Sequence, residues 1–206
     1  LQLETQPVRV PGGPVLTFTR ITNIEDLIAA AQEVDELPFW AELWPSAVGL
    51  AAYLWQEVNL QDKTVLELGC GLGLSGIIAA KKGAQVTQTD FIRQALSLAG
   101  QNAAQNDLLT ERIEADWRQF PELGAFSTII GSDILYEKDL HGSLERIVHK
   151  HLAPGGEFIF SDPGRDWAKQ FFARFSPDDW ENSLTEIPVH LDQKDYAIRI
   201  HRWRRR

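Results

Sequence analysis

The stretch Thr64-Val65-Leu66-Glu67-Leu68-Gly69-Cys70-Gly71-Leu72-Gly73-Leu74-Ser75-Gly76 decides how this chain folds. Its first five residues form a short apolar run, the length of one buried strand. Three alternate glycines follow. An apolar segment then runs to about residue 82, where Gly83 stops it as a helix-ending glycine. Strand, glycine turn and helix in that order open a βαβ unit. Glycine suits such a turn because it takes positive φ without steric cost and lets a ligand approach the backbone.

The same grammar continues downstream. Strands are expected at 85–89, 111–114, 127–132 and 157–161, alternating with helices at 93–106, 139–152 and 166–175. Pro154-Gly155-Gly156 is expected to stop the second of these helices. The alternation indicates a parallel sheet of the α/β class. The last two strands, 183–190 and 196–202, have only a short break at 192–195 between them, which predicts an antiparallel hairpin at the sheet edge. Upstream, 8–10 and 15–19 flank Pro11-Gly12-Gly13-Pro14 and read as a hairpin. Asn23 reads as the N-cap of a helix that runs to about Gln32, with Glu25 and Asp26 in its first turn. Residues 37–44 are irregular and aromatic-rich, and Pro45 takes the first position of a helix over 46–57. The chain thus divides into an N-terminal extension, 1–36, and an α/β domain, 37–206.

With 206 residues, 44% of them hydrophobic, the chain can bury a proper core without staples. Its single cysteine, Cys70, excludes an intrachain disulfide; no base stands beside it, so it reads as a small structural residue. The net charge of −9 argues against nucleic acid and anionic lipid as partners. There is no apolar run of membrane length and no signal peptide, so the cytoplasm is the expected home. The chain starts at Leu1 and has no Met, so an initiating residue, with room for a targeting segment, is expected upstream. The basic tail Arg202-Trp203-Arg204-Arg205-Arg206 reads as a solvated end, or more sharply as a basic lip for an acidic partner. His141, His149 and His151 read as helix-surface residues, and no metal site is expected.

Ligands of open α/β sheets bind beyond the carboxyl ends of the strands, near the switch point. Acids stand at those ends in series: Glu67, Asp90, Asp116, Asp133 and Asp162, all expected to face one crevice. Gly71, Gly73 and Gly76 satisfy G-x-G-x-x-G, and Asp90 lies about where a dinucleotide fold puts its ribose acid, so NAD competes on these two features. Three features point elsewhere. Glu67 just before the glycines suits a cationic ligand part better than a pyrophosphate. Asp116-Trp117 can accept from an adenine amino group. Asp133-Ile134-Leu135-Tyr136 follows the fourth parallel strand, beside where a reacting group would sit.

Those residues carry a resemblance. Glu67-Leu68-Gly69-Cys70-Gly71-Leu72-Gly73 resembles motif I of the class I, seven-stranded S-adenosylmethionine-dependent methyltransferases. Asp133-Ile134-Leu135-Tyr136 resembles the D-x-x-Y motif of a subgroup, methyltransferase-like family 16, whose members are mostly protein-lysine methyltransferases. Pro38-Phe39-Trp40-Ala41-Glu42-Leu43-Trp44-Pro45-Ser46 is similar to the Trp-containing segment that precedes motif I there. Asp162-Pro163-Gly164-Arg165 resembles a segment of the branch that methylates the electron-transfer flavoprotein β subunit. The resemblance covers roughly residues 37–165.

It implies a Rossmann-like, seven-stranded, mainly parallel sheet with one antiparallel strand. It implies S-adenosylmethionine as cofactor, S-adenosylhomocysteine as product and a protein as substrate. Glu67, Gly69, Cys70, Gly71 and Gly73 would shape the pocket around the amino acid end of the cofactor. Asp90 would hold the ribose hydroxyls, with Phe91 beside it. Asp116 and Trp117 would contact the adenine, and Trp44 would cover the cofactor from the N-terminal side. Ser132 and Asp133 would line the far wall, and Asp133 and Tyr136, the catalytic pair, would lie nearest the acceptor nitrogen. Plainer readings compete: a solvated acid for Glu67, a helix cap for Asp90, a turn for Asp116, a half-buried aromatic for Tyr136, core filling for Trp40 and Trp44.

A carboxylate too close to a lysine amine raises its pKa, so an orienting role suits Asp133 better than that of a strong base. Other functions share parts of this pattern. A small-molecule amine or heterocycle N-methyltransferase shares every cofactor motif. A non-catalytic nucleotide-binding protein would be expected to have lost Asp133 or Tyr136. An oxidoreductase would be expected to show a Tyr-x-x-x-Lys dyad, which is not evident, and the D-x-x-Y step stands where many base-amino methyltransferases have Asn/Asp-Pro-Pro-aromatic. Oligomeric state has no signal beyond the N-terminal hairpin, whose edge is able to pair with another subunit.

Overall fold

The computed structural model of the chain describes residues 2–30 and 38–206. An N-terminal hairpin, β1 (Leu3–Arg9) and β2 (Val15–Ile21), is followed by α1 (Ile24–Ala30) and then α2 (Pro45–Glu57). Alternating elements follow: β3 (Thr64–Leu68), α3 (Leu74–Lys81), β4 (Gln85–Asp90), α4 (Arg93–Ala104), β5 (Glu111–Glu114), β6 (Phe126–Ser132), α5 (His141–His151), β7 (Leu152–Asp162) and α6 (Asp166–Phe172). The chain closes with β8 (Trp180–Leu191) and β9 (Lys194–Arg205). The seven-stranded sheet has the order β5-β4-β3-β6-β7-β9-β8. Its strands are parallel except β9, which runs antiparallel between β7 and β8. The expected helix end near Gln32 lies outside the described residues.

Alternation along the strands builds two cores. Val65, Ile130 and Ile159 point to the face covered by α2, α3 and α4. Leu66, Leu68, Ile129, Phe158 and Phe160 point to the face covered by α5 and α6. Strands buried on both faces read as continuous apolar runs, which is why β3 and β6 stood out in the sequence. On the first face α2 approaches β9 so closely that a Cβ on Gly49 would come within 2.8 Å of Ile198, so glycine is required there. The Lys82 ammonium donates to the Leu54, Trp55 and Val58 carbonyls and so closes the C-terminal end of α2. On the second face Phe158, Phe172, Phe175, Trp180 and Trp203 form an aromatic cluster, with Phe158 and Trp203 stacked 6.1 Å apart.

Several expectations change. Pro154-Gly155-Gly156 lies inside β7 instead of ahead of it; the β6–β7 register shifts between Phe126 and Thr128, and the irregularity accommodates the proline. The last hairpin is longer than its apolar pattern because Asp192 (φ 48°) and Gln193 (φ 63°) make a tight two-residue turn that pairs every residue outward from it. The basic tail belongs to β9 as far as Arg205: Arg202 and Arg204 pair with Glu157 and Arg205 is set over the Trp180 ring, while Arg204 and Arg206 stay exposed. His141 and His151 are buried, not on the helix surface; each ring contacts a backbone carbonyl, Leu135 and Gly124 respectively.

The N-terminal hairpin does not join the main sheet. Buried Val8, Val10, Leu16, Phe18 and Ile21 continue the first core, and the backbone of β2 is bound by side chains of α4 and the turn that follows it. Asn102 Oδ1 accepts from Thr19 N at 2.7 Å, while its amide donates to Thr19 O and Leu72 O. One turn on, Asn106 repeats the two contacts with Thr17. These two asparagines act as a short partner strand for β2, and the contact to Leu72 ties the hairpin to the glycine turn.

Asn102→Ala would leave buried polar groups of Thr19 and Leu72 without partners, at a cost of about 2–4 kcal/mol. Thermal unfolding should show a Tm lower by roughly 5–10 °C. An unchanged Tm would mean that water satisfies those groups and the asparagine does not hold the hairpin.

Candidate active site

The strand order reverses between β3 and β6, so the loops after them diverge and open a cleft of about 380 Å³ beyond their carboxyl ends. That volume suits a ligand of nucleoside size. Its floor is the turn from Gly69 to Gly73, in which Gly69 (φ 61°), Gly71 (φ 50°) and Gly73 (φ 87°) are left-handed. Space as well as φ demands glycine. A Cβ on Gly69 would sit 3.0 Å from the Trp117 ring, and one on Gly71 would sit 3.2 Å from Trp40 O. The turn is thus a cradle of bare backbone.

Asp90, at the end of β4, lines the cleft and clamps the turn: Oδ2 accepts from Gly71 N at 2.9 Å and Oδ1 from Ile92 N at 2.9 Å. Burial pushes its pKa up, against backbone donors from Ile92, Gly71 and Phe91 that stabilise the charge. The helix-cap reading is half met, since Ile92 holds the cap position of α4 and Asp90 binds its N–H. A carboxylate has about four lone-pair sites, so three backbone donors leave it room to accept from a ligand. Asp116 lines the cleft after β5, and its Oδ1 accepts from Arg118 N at 2.8 Å. Trp117 and Phe91 line the same wall, with Phe91 exposed. Cys70 lines the floor; burial pushes its thiol well above the ordinary range, which disfavours the thiolate.

Aromatic side chains form the mouth. Trp44 Nε1 donates to Phe39 O at 2.7 Å, and the Phe39 ring meets both Trp44 and Tyr136 edge-on at 6.3 and 6.2 Å. Tyr136 is 39% exposed. Trp40 lines the cleft too, so it is more than a core filler. Ser132 and Asp133 complete the far wall.

Asp133 has φ 52°, rare for a residue other than glycine, and its N–H donates to Ser161 O at 2.8 Å. Its carboxylate, 9% exposed, receives a two-pronged guanidinium: Arg165 Nε at 2.7 Å and Nη2 at 3.0 Å. Sequence reasoning left Arg165 without a role. The Asp162-Pro163-Gly164-Arg165 segment stood out in the sequence, but what brings it to Asp133 is the β6–β7 register, which sets Ser161 beside Ser132, the residue before Asp133.

The expectation that five acids face one crevice is corrected to three: Asp90, Asp116 and Asp133. Asp162 turns away. Its Oδ1 accepts from Gly164 N and Arg165 N and its Oδ2 contacts His201 Nε2 at 2.7 Å; burial opposes its charge, yet these partners hold its pKa below the ordinary value. Glu67 does not line the cleft either. It is 1% exposed beneath the turn, where Oε2 accepts from Gln88 Nε2 at 2.7 Å, and Gln88 Oε1 in turn accepts from Thr110. Solvation does not explain it; the side chain braces the turn against β4.

Burial, against donors from Gln88 and Gly76, pushes Glu67 up from 4.5 to about 7. The folded protein therefore prefers the protonated acid, and that stability is lost as pH rises through about 7. Glu67→Gln keeps an acceptor for Gln88 and carries no charge. Its stability relative to the parent should rise by about 2 kcal/mol between pH 5 and pH 8, a widening in Tm of roughly 5 °C. A gap that stays constant with pH would show that the carboxylate is not the titrating group.

The comparisons with known proteins agree with this geometry. The model of the lysine methyltransferase family matches residues 24–177. The chain is 37% identical over 176 residues to a histone-arginine methyltransferase, METTL23, of Xenopus laevis, spanning 79% of this chain and 73% of that one. It is 34% identical over 132 residues to a protein N-lysine methyltransferase, METTL21A, of Xenopus tropicalis, spanning 59% and 60% of the two chains. In fold it resembles a magnesium protoporphyrin IX methyltransferase from Synechocystis with bound S-adenosylmethionine, with TM-score 0.62 and 16% identity over 91% of this chain and 86% of that one. The chain belongs to the lysine methyltransferase family and is an S-adenosylmethionine-dependent methyltransferase.

Proposed function

We propose that this chain methylates a side-chain nitrogen of a protein, a lysine amine first, at the mouth formed by Asp133 and Tyr136. The observation that carries the reading is an open aromatic collar, Phe39, Trp44 and Tyr136, directly over the Asp133 wall of the cleft. The exposed Phe39 and Tyr136 rings leave the mouth accessible to a residue presented by another protein, whereas a small amine favours a closed lid. The cytoplasm is the proposed place of action.

The cofactor supplies a methyl group already activated on sulfur, so no covalent enzyme intermediate is needed. The cradle of Gly69, Gly71 and Gly73 takes the amino acid end, with Cys70 beside it. Asp90 accepts from the ribose hydroxyls, with Phe91 next to it. Asp116 accepts from the adenine amino group, on which Trp117 packs. Trp44 covers the cofactor, and Ser132 backs the far wall. Fixing donor and acceptor in line contributes roughly 7–11 kcal/mol. A lysine amine, with pKa about 10.4 in water, must shed its proton before it attacks. Desolvation by the aromatic collar favours the neutral form. Asp133, held by Arg165, directs the amine, and the Tyr136 hydroxyl offers a second hydrogen bond.

A second reading is an arginine acceptor, favoured by the 37% identity to a histone-arginine methyltransferase. Radiolabelled methyl transfer to lysate proteins, followed by hydrolysis and amino acid analysis, separates the readings: methyllysine supports the first and methylarginine the second. Label confined to small molecules overturns both. Asp133→Ala should lower transfer by about 10²–10⁴-fold with affinity for S-adenosylhomocysteine nearly unchanged. If it instead loses that affinity while turnover persists at saturating cofactor, Asp133 is a cofactor ligand only. Asp90→Ala should weaken S-adenosylhomocysteine binding by about 1.5–3 kcal/mol in calorimetry; unchanged affinity would remove Asp90 from the cofactor site.

A further inference from the structure

Asp133 and Arg165 are 32 residues apart in sequence, yet their side chains meet in the wall of the cleft. The arginine is not a surface cation that happens to fall there. Asp162, fully buried, accepts from the backbone N–H groups of Gly164 and Arg165 and so fixes where the arginine leaves the chain. Its other oxygen contacts His201 of β9, whose ring stacks on Phe172 of α6 at 4.0 Å. On the facing side, Asp133 is fixed through its N–H to Ser161 O. Both ends of the pair are anchored in adjacent strands, β6 and β7.

A planar guanidinium that donates from two nitrogens sets both the direction and the charge of a carboxylate. It uses one lone pair on each oxygen and leaves the others for an acceptor. Of the other charged groups in the cleft wall, Glu42, Asp90, Asp116 and Glu137 are acids, and the cation Arg118 stands against Asp116 at 3.8 Å, so the charge beside Asp133 is balanced by Arg165. A bare carboxylate there would hold an incoming cation in its charged, unreactive form.

We infer that Arg165 is a positioning residue of the transfer site, which cancels the charge of Asp133 and fixes its carboxylate so that the acceptor is directed without being held as a cation. This rests on the proposed reading that the acceptor is a side-chain cation that reacts in its neutral form.

The test needs no acceptor. Sinefungin carries a protonated amine where S-adenosylmethionine carries its methyl, and S-adenosylhomocysteine carries nothing there. The ratio of their affinities, measured by calorimetry, reads the charge beside that position. Arg165→Gln should leave S-adenosylhomocysteine affinity unchanged and tighten sinefungin about tenfold. Adding Asp133→Asn should return the ratio to that of the parent protein, and Arg165→Lys should stay near it. Asp133→Asn alone, which leaves the guanidinium uncompensated, should weaken sinefungin about tenfold relative to S-adenosylhomocysteine and serves if Arg165→Gln does not fold. A merely structural role would weaken both ligands alike, and a ratio that does not move, or that moves without Asp133, overturns the inference. Failure to label any lysate protein would count against the acceptor reading instead.

Discussion

The position of β3 between β4 and β6 is the constraint from which the site follows. All three strands run parallel, so their carboxyl ends finish at one edge. The chain then leaves β3 toward one neighbour and returns to the other side of it later, and the loops part at that line. The turn after β3 forms the floor of that gap and presents backbone to it. Asp90 completes the arrangement by binding Gly71 N from the end of the neighbouring strand β4. The cleft is therefore a consequence of strand order, and its chemistry a consequence of which residues stand at the strand ends.

The acids at those ends share a type and differ in setting. Glu67 is sealed under the turn, where burial raises its pKa against the hydrogen bond from Gln88. Asp162 is equally buried but keeps its charge, because backbone N–H groups and His201 converge on it. Asp133 meets a guanidinium at the cleft wall. Asp90 and Asp116 take backbone donors and keep a side toward the cleft. A buried carboxylate is tolerated only with such partners, and here the partners, more than the acids themselves, divide structural from chemical roles.

The N-terminal hairpin shows the same economy in a different form. Its strands have no place in the main sheet, and Asn102 and Asn106 supply donors and acceptors that a neighbouring strand would otherwise supply. Because Asn102 also holds Leu72 O, the extension and the glycine turn are mechanically joined.

The sequence by itself determined the alternation of strands and helices, the glycine turn, the antiparallel final hairpin and the acids at the strand ends. These are legible because they depend on neighbours along the chain: the continuous buried runs of β3 and β6, left-handed glycines after Leu68, a proline at the start of α2. The tertiary structure alone decided which way each acid points. Glu67 lies near the end of β3 and Asp133 just past the end of β6, yet one turns under the helix and the other into the cleft. Only the tertiary structure brought Arg165 to Asp133, through the parallel register that sets Ser132 beside Ser161. Pairing between residues distant in sequence is fixed by strand register and by the burial of both partners, and neither is written in the local pattern of either segment.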